Sequence, residues 1–394
     1  MKKFYIFLLV SMITASAAMA QRQACVPGLL LYVDVNHIGP YRPNGTAIAP
    51  YLSIKMANDS AVARNYCTVN LFVKKGLHNN EIISFDRAAT IKGESRSETI
   101  INQGGLWSMV PVDLTLWDLT FKNSSARAIL KKDGTIHLNR ITVDNYHYVS
   151  GPYLPTPSAI QLLNVQGSIT GLEVTNSDQP NFRLTGANSN ISVLGLVTSN
   201  SKFIPGYDDS NYNYASSVEV LDGAKFKLVG GKITGAQSIG LLISGSVAKI
   251  AYSEIHDTTK SGSIYGNNFA MMNGSQVQAN YLTSTGAELA GLVMMGSTFL
   301  GDSITIKGNY FGAAMNIDAS PGDYSAGQCF MFKNMTTVTG NTKLDFLYTG
   351  KIGGPVSLPT QPLPLPCPQG QVCPTPTPVP TPVPVPANCY PVNL

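Results

Sequence analysis

A short strand-like segment recurs loosely along the middle of the chain. It is seen in "GTIHLNRITVDN" at residues 134–145 and again in "GSITGLEVTN", "GAKFKLVGGKITG" and "GDSITIKGNYFG". The copies follow one another at intervals of roughly 22 to 35 residues, which is the range of solenoid repeats, and no helical period separates them. A unit of this size cannot bury its own apolar face, so the pattern predicts coils that stack on one another.

Each copy combines two strand-like runs, joined by a turn of Gly, Ser or Asn and followed by a loop. Asn123, Asn145 and Asn200 follow an apolar strand residue at a constant distance, and Gly235 holds the same position in a further copy. Because Asn and Gly tolerate left-handed backbone, we predict a sharp bend at each of them. The apolar residues that mark successive copies are Ile136, Ile169, Ile191, Phe226, Ile250, Val277, Ile304 and Val338.

The sequence therefore predicts an all-β right-handed parallel β-helix solenoid over residues 21–354, with a short N-terminal capping helix in residues 44–64. The chain resembles the pectin-lyase-like β-helix proteins up to about Phe346. Its N-terminal part resembles the pectin methylesterases. "NGTAIAPYLSIKMANDSA" is similar to their capping helix, and "VNLFVKKGLHNNEII" and "ATIKGESRSETIINQGG" are similar to two of their strands.

The esterase resemblance implies a fold without an activity. The catalytic strings of those enzymes, of the types G-x-Q-D-T-L, D-F-I-F-G and L-G-R-P-W, are absent, and so are the W-x-D-H and R-x-P-x-x-R strings of pectate lyases. Gln161 lies in a loosely similar position but lacks the Asp that follows in the family pattern. Function must therefore be argued from the site itself.

Both ends of the chain differ from its middle. Residues 1–20 read as a bacterial signal peptide, with Lys2 and Lys3 before an apolar run and a small-residue cleavage site at Ala20. We therefore expect an exported protein, secreted or held in the periplasm or at the cell surface. Residues 355–394 contain "PTPTPVPTPVPVP", which favours an extended polyproline II spacer. No later stretch is apolar enough to span a membrane.

Six cysteines indicate disulfide bonds, because an even number in an exported protein favours pairing over metal ligation. We expect them to fasten the two ends of the solenoid, and the spacing leaves the pairing open. They are Cys25, Cys67, Cys329, Cys367, Cys373 and Cys389.

The charge balance argues against nucleic acid as a partner. The chain has 27 basic and 23 acidic residues, and charged residues make up only 13% of it. Nucleic-acid binding needs clustered basic residues, which are absent. The five histidines have no zinc-binding spacing, so no cofactor is expected. Loop carboxylates could offer oxygen ligands to calcium or simply be solvated, and both interpretations stay open; the candidates are Asp208, Asp209, Asp318 and Asp323.

Long loops rich in tyrosine are the most suggestive feature for function. They cover residues 145–158, 201–217, 256–268 and 312–328 and follow alternate coils, so we expect them on one side of the solenoid. Tyrosine offers a flat apolar face and a hydroxyl to a sugar ring, although such rings can equally pack on the solenoid wall. The candidate binding residues are Tyr146, Tyr148, Tyr153, Tyr207, Tyr212, Tyr214 and Tyr265, together with Glu254 and His256.

Three functions remain open at this stage. The first is a non-catalytic protein that binds an extended polysaccharide along the tyrosine-bearing side. The second is a polysaccharide lyase, esterase or hydrolase with an unfamiliar site, and the third is a structural or adhesive rod on a proline-rich stalk. For the second, the side chains to inspect are Asp144, His147, Glu219, Glu254 and His256, since strand alternation puts Glu254 and His256 on one face.

Overall fold

The chain folds into a right-handed parallel β-helix, as the repeat predicts. The structure is a computed structural model that describes residues 25–147, 158–178, 180–203, 216–260, 265–315, 330–334, 336–348 and 356–357. Strands of successive coils pair in parallel and in register. The backbone N–H and C=O groups of these strands therefore form hydrogen bonds with the coils before and after them, as a stacked solenoid requires.

One helix and a series of short strands make up the described residues. In chain order they are β1 (Leu30–Val33), α1 (Ile54–Ala63), β2 (Thr68–Val73), β3 (Gly76–Asn79), β4 (Ile82–Ser84), β5 (Ala88–Gly93), β6 (Thr99–Asn102), β7 (Gly105–Ser108), β8 (Leu114–Lys122), β9 (Ile129–Asp144), β10 (Ile160–Thr175), β11 (Phe182–Thr185), β12 (Asn190–Ser199), β13 (Ser216–Leu221), β14 (Lys225–Val229), β15 (Lys232–Thr234), β16 (Ile239–Ser244), β17 (Val247–His256), β18 (Asn267–Met272), β19 (Gln276–Thr285), β20 (Ala290–Met294), β21 (Thr298–Asp302), β22 (Thr305–Lys307), β23 (Phe311–Met315), β24 (Phe330–Lys333), β25 (Thr337–Val338), β26 (Leu344–Tyr348) and β27 (Val356–Ser357).

Each coil has three sides, which we call sheets 1, 2 and 3. In the coil of β10, residues 167–170 belong to sheet 1 and residues 172–175 to sheet 2, while residues 160–163 belong to sheet 3. The sequence predicted two strand runs per coil, and this expectation is wrong. What reads as one run is two strands, bent where sheet 1 meets sheet 2.

The bend between sheets 1 and 2 is made by single residues in left-handed conformation. In the opening segment "GTIHLNRITVDN" this residue is Arg140, whose type gives no turn signal. The residues at this corner have φ between 50° and 72°; they are Asp118, Arg140, Gly171, Gly195, Gly230, Tyr252, Tyr281, Ser303 and Asn334.

The corner between sheets 2 and 3 carries the predicted asparagines. Asn123, Asn145 and Asn200 have φ of 52°, 62° and 53°, and Gly235 has 62°, so the prediction of left-handed bends is confirmed. The side chains also bond along the solenoid axis. The Asn145 Nδ2 donates to the Asn123 Oδ1 at 2.6 Å, so each of these side chains provides the other with a hydrogen-bond partner.

Apolar side chains from all three sheets fill the interior. Ile250 is 1% exposed, as its predicted inward position requires. Ile304 and Val338 are also buried, but they adjoin or belong to β22 and β25 of sheet 2, whereas Val277 lies in sheet 1. The residues predicted to be equivalent therefore do not form one column. Ile169 and Ile250 also lie two positions further along sheet 1 than the others. The change to sheet 2 at the C-terminal end arises because the third strand was not recognised.

The N-terminal end of the solenoid is closed by α1, which lies within the predicted capping region. Ser53 begins the helix by accepting a hydrogen bond from the Met56 amide at 3.1 Å, and Ile54 and Ala57 are buried. A disulfide joins Cys25 to Cys67 next to this cap. The other four cysteines lie outside the described residues.

The long loops do not all leave from one corner. The first three connect sheet 2 to sheet 3, following β9, β12 and β17. The fourth connects β23 of sheet 3 to β24 of sheet 1. The expectation that the loops leave the solenoid at corresponding points is therefore correct for three loops and wrong for residues 312–328. The side on which they project depends on residues outside the described ranges.

Candidate functional site

The outer face of sheet 2 is a long polar surface built by strand alternation. Every second side chain points outward, and parallel register aligns these side chains in two rows along the axis, with one step of about 4.8 Å per coil. The first row is Thr120, Thr142, Glu173, Val197, Lys232, Glu254, Thr283 and Thr305. The second row is Lys122, Asp144, Thr175, Ser199, Thr234, His256, Thr285 and Lys307.

A groove of about 900 Å³ occupies the N-terminal part of this surface. Its floor is formed by Thr120, Thr142 and Glu173 of the first row, and its wall is the segment of residues 94–97, which connects β5 to β6. This connection is longer than the single-residue bends that follow it, so it has the length to fold over the neighbouring coils. The wall is tied down because Thr120 Oγ1 donates to the carbonyl oxygen of Arg96 at 2.6 Å.

Arg96 reaches from this wall across the groove floor. Its Nε donates to Thr142 Oγ1 at 2.7 Å, and its Nη2 lies 2.9 Å from Glu173 Oε2. At the sheet 1–2 corner, Arg140 makes a two-point ion pair with Asp118, with distances of 2.5 and 2.6 Å. The Asp118 carboxylate raises the pKa of Arg140 above its usual value.

The groove has two more carboxylates, Glu94 and Asp144. Glu94 Oε2 accepts a hydrogen bond from the Lys75 amide at 3.0 Å. Asp144 accepts hydrogen bonds from Thr175 Oγ1 at 3.1 Å and Asn176 Nδ2 at 3.0 Å, and Lys122 Nζ lies 3.9 Å away. The groove thus combines charges of both signs with hydroxyl groups, and Asp118, Asp144 and Glu173 all have partners. Such a lining offers fixed hydrogen-bond donors and acceptors rather than a carboxylate free to attack or abstract a proton.

Further along the same face, Glu254, His256 and Thr285 form a hydrogen-bonded array. His256 Nε2 is 3.1 Å from Glu254 Oε2, and His256 Nδ1 is 2.8 Å from Thr285 Oγ1. The predicted sharing of one face by Glu254 and His256 is confirmed. Chemically, the array holds the imidazole in one orientation and can present a hydroxyl or move a proton.

Two exposed tyrosines stand beside this array. Tyr252 and Tyr281 occupy the sheet 1–2 corner in adjacent coils, with side chains 65% and 54% exposed. Their rings stack with centroids 4.9 Å apart and an interplanar angle of 7°. Tyr252, Glu254 and His256 therefore lie on one coil, and Tyr281, Thr283 and Thr285 lie on the next.

The tyrosines predicted from the loops are placed differently. Tyr146 is 1% exposed and belongs to the core, so its ring is not available to a ligand on the surface. Tyr265 is half-buried and packs against apolar side chains on the outer face of sheet 3, including Leu242. Tyr148, Tyr153, Tyr207, Tyr212 and Tyr214 lie outside the described residues.

The other residues that the sequence suggested as catalytic candidates lie at different places in the structure. Glu219 is buried on sheet 3, where its Oε2 is 2.6 Å from Arg183 Nε, so it does not adjoin the sheet 2 surface. His147 lies at the sheet 2–3 corner, 3.6 Å from Asp178. Asp144 lines the groove, as described above. The four aspartates considered for calcium lie outside the described residues.

The described part of the chain has neither a cluster of metal-binding side chains nor a membrane-spanning helix. It contains no group of three or more His, Cys, Asp or Glu side chains placed to hold a metal ion. None of its helices has the length and apolar character needed to cross a bilayer.

Sequence reasoning missed Arg96, Tyr252 and Tyr281. Tyrosine gives no turn signal, so nothing suggested a bend in "AYSEIH" or "NYLTST". Aligning these two segments as repeats would have placed the two tyrosines one above the other. The contacts of Arg96 span coils distant in sequence and have no local signature.

Comparison with known proteins finds structural similarity to two solved proteins and no match in sequence. No protein-family model and no curated protein matches the sequence. Among solved structures, the A-module of mannuronan C-5 epimerase AlgE4 from Azotobacter vinelandii is 12% identical, with a TM-score of 0.45 over 81% of this chain and 98% of that chain. The AlgE6 A-module from the same organism is 11% identical, with a TM-score of 0.47 over 76% of this chain and 95% of that chain. These values carry no argument about ligand or activity.

Proposed function

We propose that the protein is exported and binds an extended polysaccharide along the outer face of sheet 2, without catalysing a reaction on it. The observation that carries the proposal is the pair of aligned polar rows, which lead into the groove beneath Arg96. A polymer with hydroxyl groups at regular intervals matches a surface with hydroxyl, carboxylate and cationic groups at a regular step. The fixed backbone ladders beneath hold these groups in place and lower the entropic cost of binding.

Other polymers fit this surface less well. A peptide that adds as a strand needs an unpaired sheet edge, and the backbone groups of sheet 2 are already paired with the neighbouring coils. Nucleic acid needs a concentration of positive charge, whereas the groove mixes Arg96, Lys122 and Arg140 with several carboxylates.

Binding without turnover is supported by the state of the acidic groups. In the groove, Asp118 and Glu173 are paired with arginines, and Asp144 is held by hydrogen bonds. The esterase and pectate-lyase strings are absent from the sequence, so no esterase or lyase activity is proposed from its N-terminal segments. A lyase, esterase or hydrolase is the less favoured alternative.

The test is affinity electrophoresis of the purified protein through gels that contain a panel of bacterial and plant polysaccharides. Two substitutions in β12 provide a matched pair. Ser199→Trp places a large side chain on the outer face of sheet 2, and Ser192→Trp places the same side chain on the outer face of sheet 1. We expect retardation by at least one polymer, weakened about tenfold or more by Ser199→Trp and unchanged by Ser192→Trp.

Two results would reject the proposal. One is a wild-type protein that no polymer retards, and the other is equal retardation of the two tryptophan variants. Release of reducing ends, unsaturated products or acid from the retarding polymer would reject the non-catalytic part alone.

A further inference from the structure

We infer that Tyr252 and Tyr281 form a subsite at the sheet 1–2 corner, which stacks on a sugar ring bearing an anionic substituent. The inference rests on the proposed function and adds to it a location and a ligand chemistry. The polymer binds along sheet 2, and one of its rings packs against Tyr252 at the edge of that sheet.

The first argument is the backbone conformation of the two tyrosines. Tyr252 has φ of 50° and Tyr281 has φ of 53°. Left-handed backbone is unfavourable for a bulky residue without local side-chain hydrogen bonding to compensate. The two coils that flank this pair use Gly230 and Ser303 at the same corner, so the fold does not require tyrosine there. At two adjacent corners, therefore, the chain has a residue type for which the left-handed conformation is unfavourable. This indicates a role for the two tyrosines other than folding.

The second argument is the geometry of the rings. Their centroid separation of 4.9 Å matches the step of about 4.8 Å between coils, so they stack along the solenoid axis. Tyr281 covers one face of Tyr252. The opposite face is directed towards the preceding coil, whose corner residue is Gly230. Nothing beyond the chain neighbours of Gly230 lies within 4 Å of where a Cβ would sit, so this corner is an open notch. Gly195 and Gly171 hold the same corner in the two preceding coils, so no corner side chain closes the notch on that side.

A flat ring with an apolar face fits such a notch. The CH face of a sugar ring stacks on the face of Tyr252, and its hydroxyl groups point towards the polar rows of sheet 2. The coil of Tyr252 also carries Glu254 and His256, which supply an acceptor and a ring nitrogen on the same surface.

The charged groups around the notch are three lysines and Glu254, whose carboxylate is 3.1 Å from His256 Nε2. Lys227 and Lys232 lie before and after Gly230 along the chain, and Lys249 precedes Tyr252 in β17. No carboxylate of the described residues is within ion-pair distance of these three lysines. Lysine ammonium groups without a partner favour a carboxylate or sulfate on the sugar, and the shared chemistry is an anionic substituent.

Four variants test the subsite in the same gels. Tyr252→Asn removes the ring and keeps a residue that tolerates the bend, and Tyr252→Phe keeps the ring. Gly230→Asn fills the notch from the neighbouring coil. Tyr41→Ala removes a tyrosine of comparable exposure, 63%, close to the N-terminal end of the chain. Circular dichroism melts confirm that each variant is folded.

We expect Tyr252→Asn and Gly230→Asn to weaken binding about tenfold or more, and Tyr252→Phe and Tyr41→Ala to stay within about twofold of wild type. Uronate and sulfated polymers should be retarded more strongly than a neutral polymer of similar length. The double variant Lys232→Gln/Lys249→Gln should remove that preference. Comparison of the uronate and sulfated gels identifies which anionic group is recognised.

The outcomes separate the two proposals. Wild-type protein that no polymer retards overturns the proposed function and the subsite together. Wild-type protein that is retarded, with folded Tyr252→Asn and Gly230→Asn variants retarded equally, overturns the subsite alone. Equal retardation by neutral and acidic polymers overturns the assignment of the anionic substituent.

Discussion

The buried ion pair between Arg183 and Glu219 allows a demanding test of how sheet 3 is stabilised. The two residues face each other in register on β11 and β13, and their side chains are 5% and 2% exposed. The Arg183 Nε is 2.6 Å from Glu219 Oε2, and the Ser216 amide donates to Glu219 Oε1 at 3.1 Å. Removing one partner leaves the other charge in a site with little access to water.

We therefore expect Arg183→Met to lower the free energy of unfolding by about 3–5 kcal/mol, the usual result of breaking a buried pair. Glu219→Met should cost a similar amount. The double variant should cost much less than either single variant, because apolar side chains of similar volume replace both charges. Lys55→Met breaks the exposed pair with Asp59 and should cost about 0–1 kcal/mol.

The assay is urea unfolding monitored by far-ultraviolet circular dichroism. Wild type, the two single variants at positions 183 and 219 and the double variant form a double-mutant cycle. A strong coupling between the two positions is the expected outcome. If Arg183→Met is as stable as wild type, or if the two single changes add without coupling, the reasoning about the buried charge is wrong.

Two further predictions concern single residues, Asn145 at the sheet 2–3 corner and Lys131 in the sheet 3 part of β9. Asn145→Ala should destabilise the protein by about 1–2 kcal/mol more than Asn145→Gly in urea unfolding, because only alanine is strained at φ 62°; equal losses would contradict this. Burial lowers the pKa of Lys131 from 10.5 to about 8, so between these values the unfolded chain holds a proton that the folded chain has released. The stability of wild type relative to Lys131→Met should therefore rise with pH across that window, and a flat difference would contradict the assignment.

The architecture could be predicted from the sequence because two of its requirements restrict the residue type at single positions. Inward positions such as Ile250 must be apolar in every coil, and the left-handed bend at Asn145 favours a small set of residue types. The second bend in each coil was not accessible. Arg140 has a left-handed conformation although its residue type does not favour one, so the sequence gives no signal for a bend there.

The candidate site was accessible only in part. Alternation along one strand brought Glu254 and His256 together, since that relation depends on neighbouring residues alone. Because only tyrosines in loops were considered, Tyr146 was predicted to bind the ligand, although it is buried. Tyr252, which lies in a strand region, was missed. The groove depends on Arg96 crossing to other coils, and a contact of that kind has no signature in a single sequence.

That crossing also bears on cooperativity. In a simple solenoid each coil interacts with its two neighbours, so opening can proceed one coil at a time. Arg96 leaves the connection before β6 and contacts Thr142 and Glu173, two and three coils further on. The amide protons of these coils should therefore exchange with solvent as one block, and the size of that block should shrink when the arginine side chain is removed.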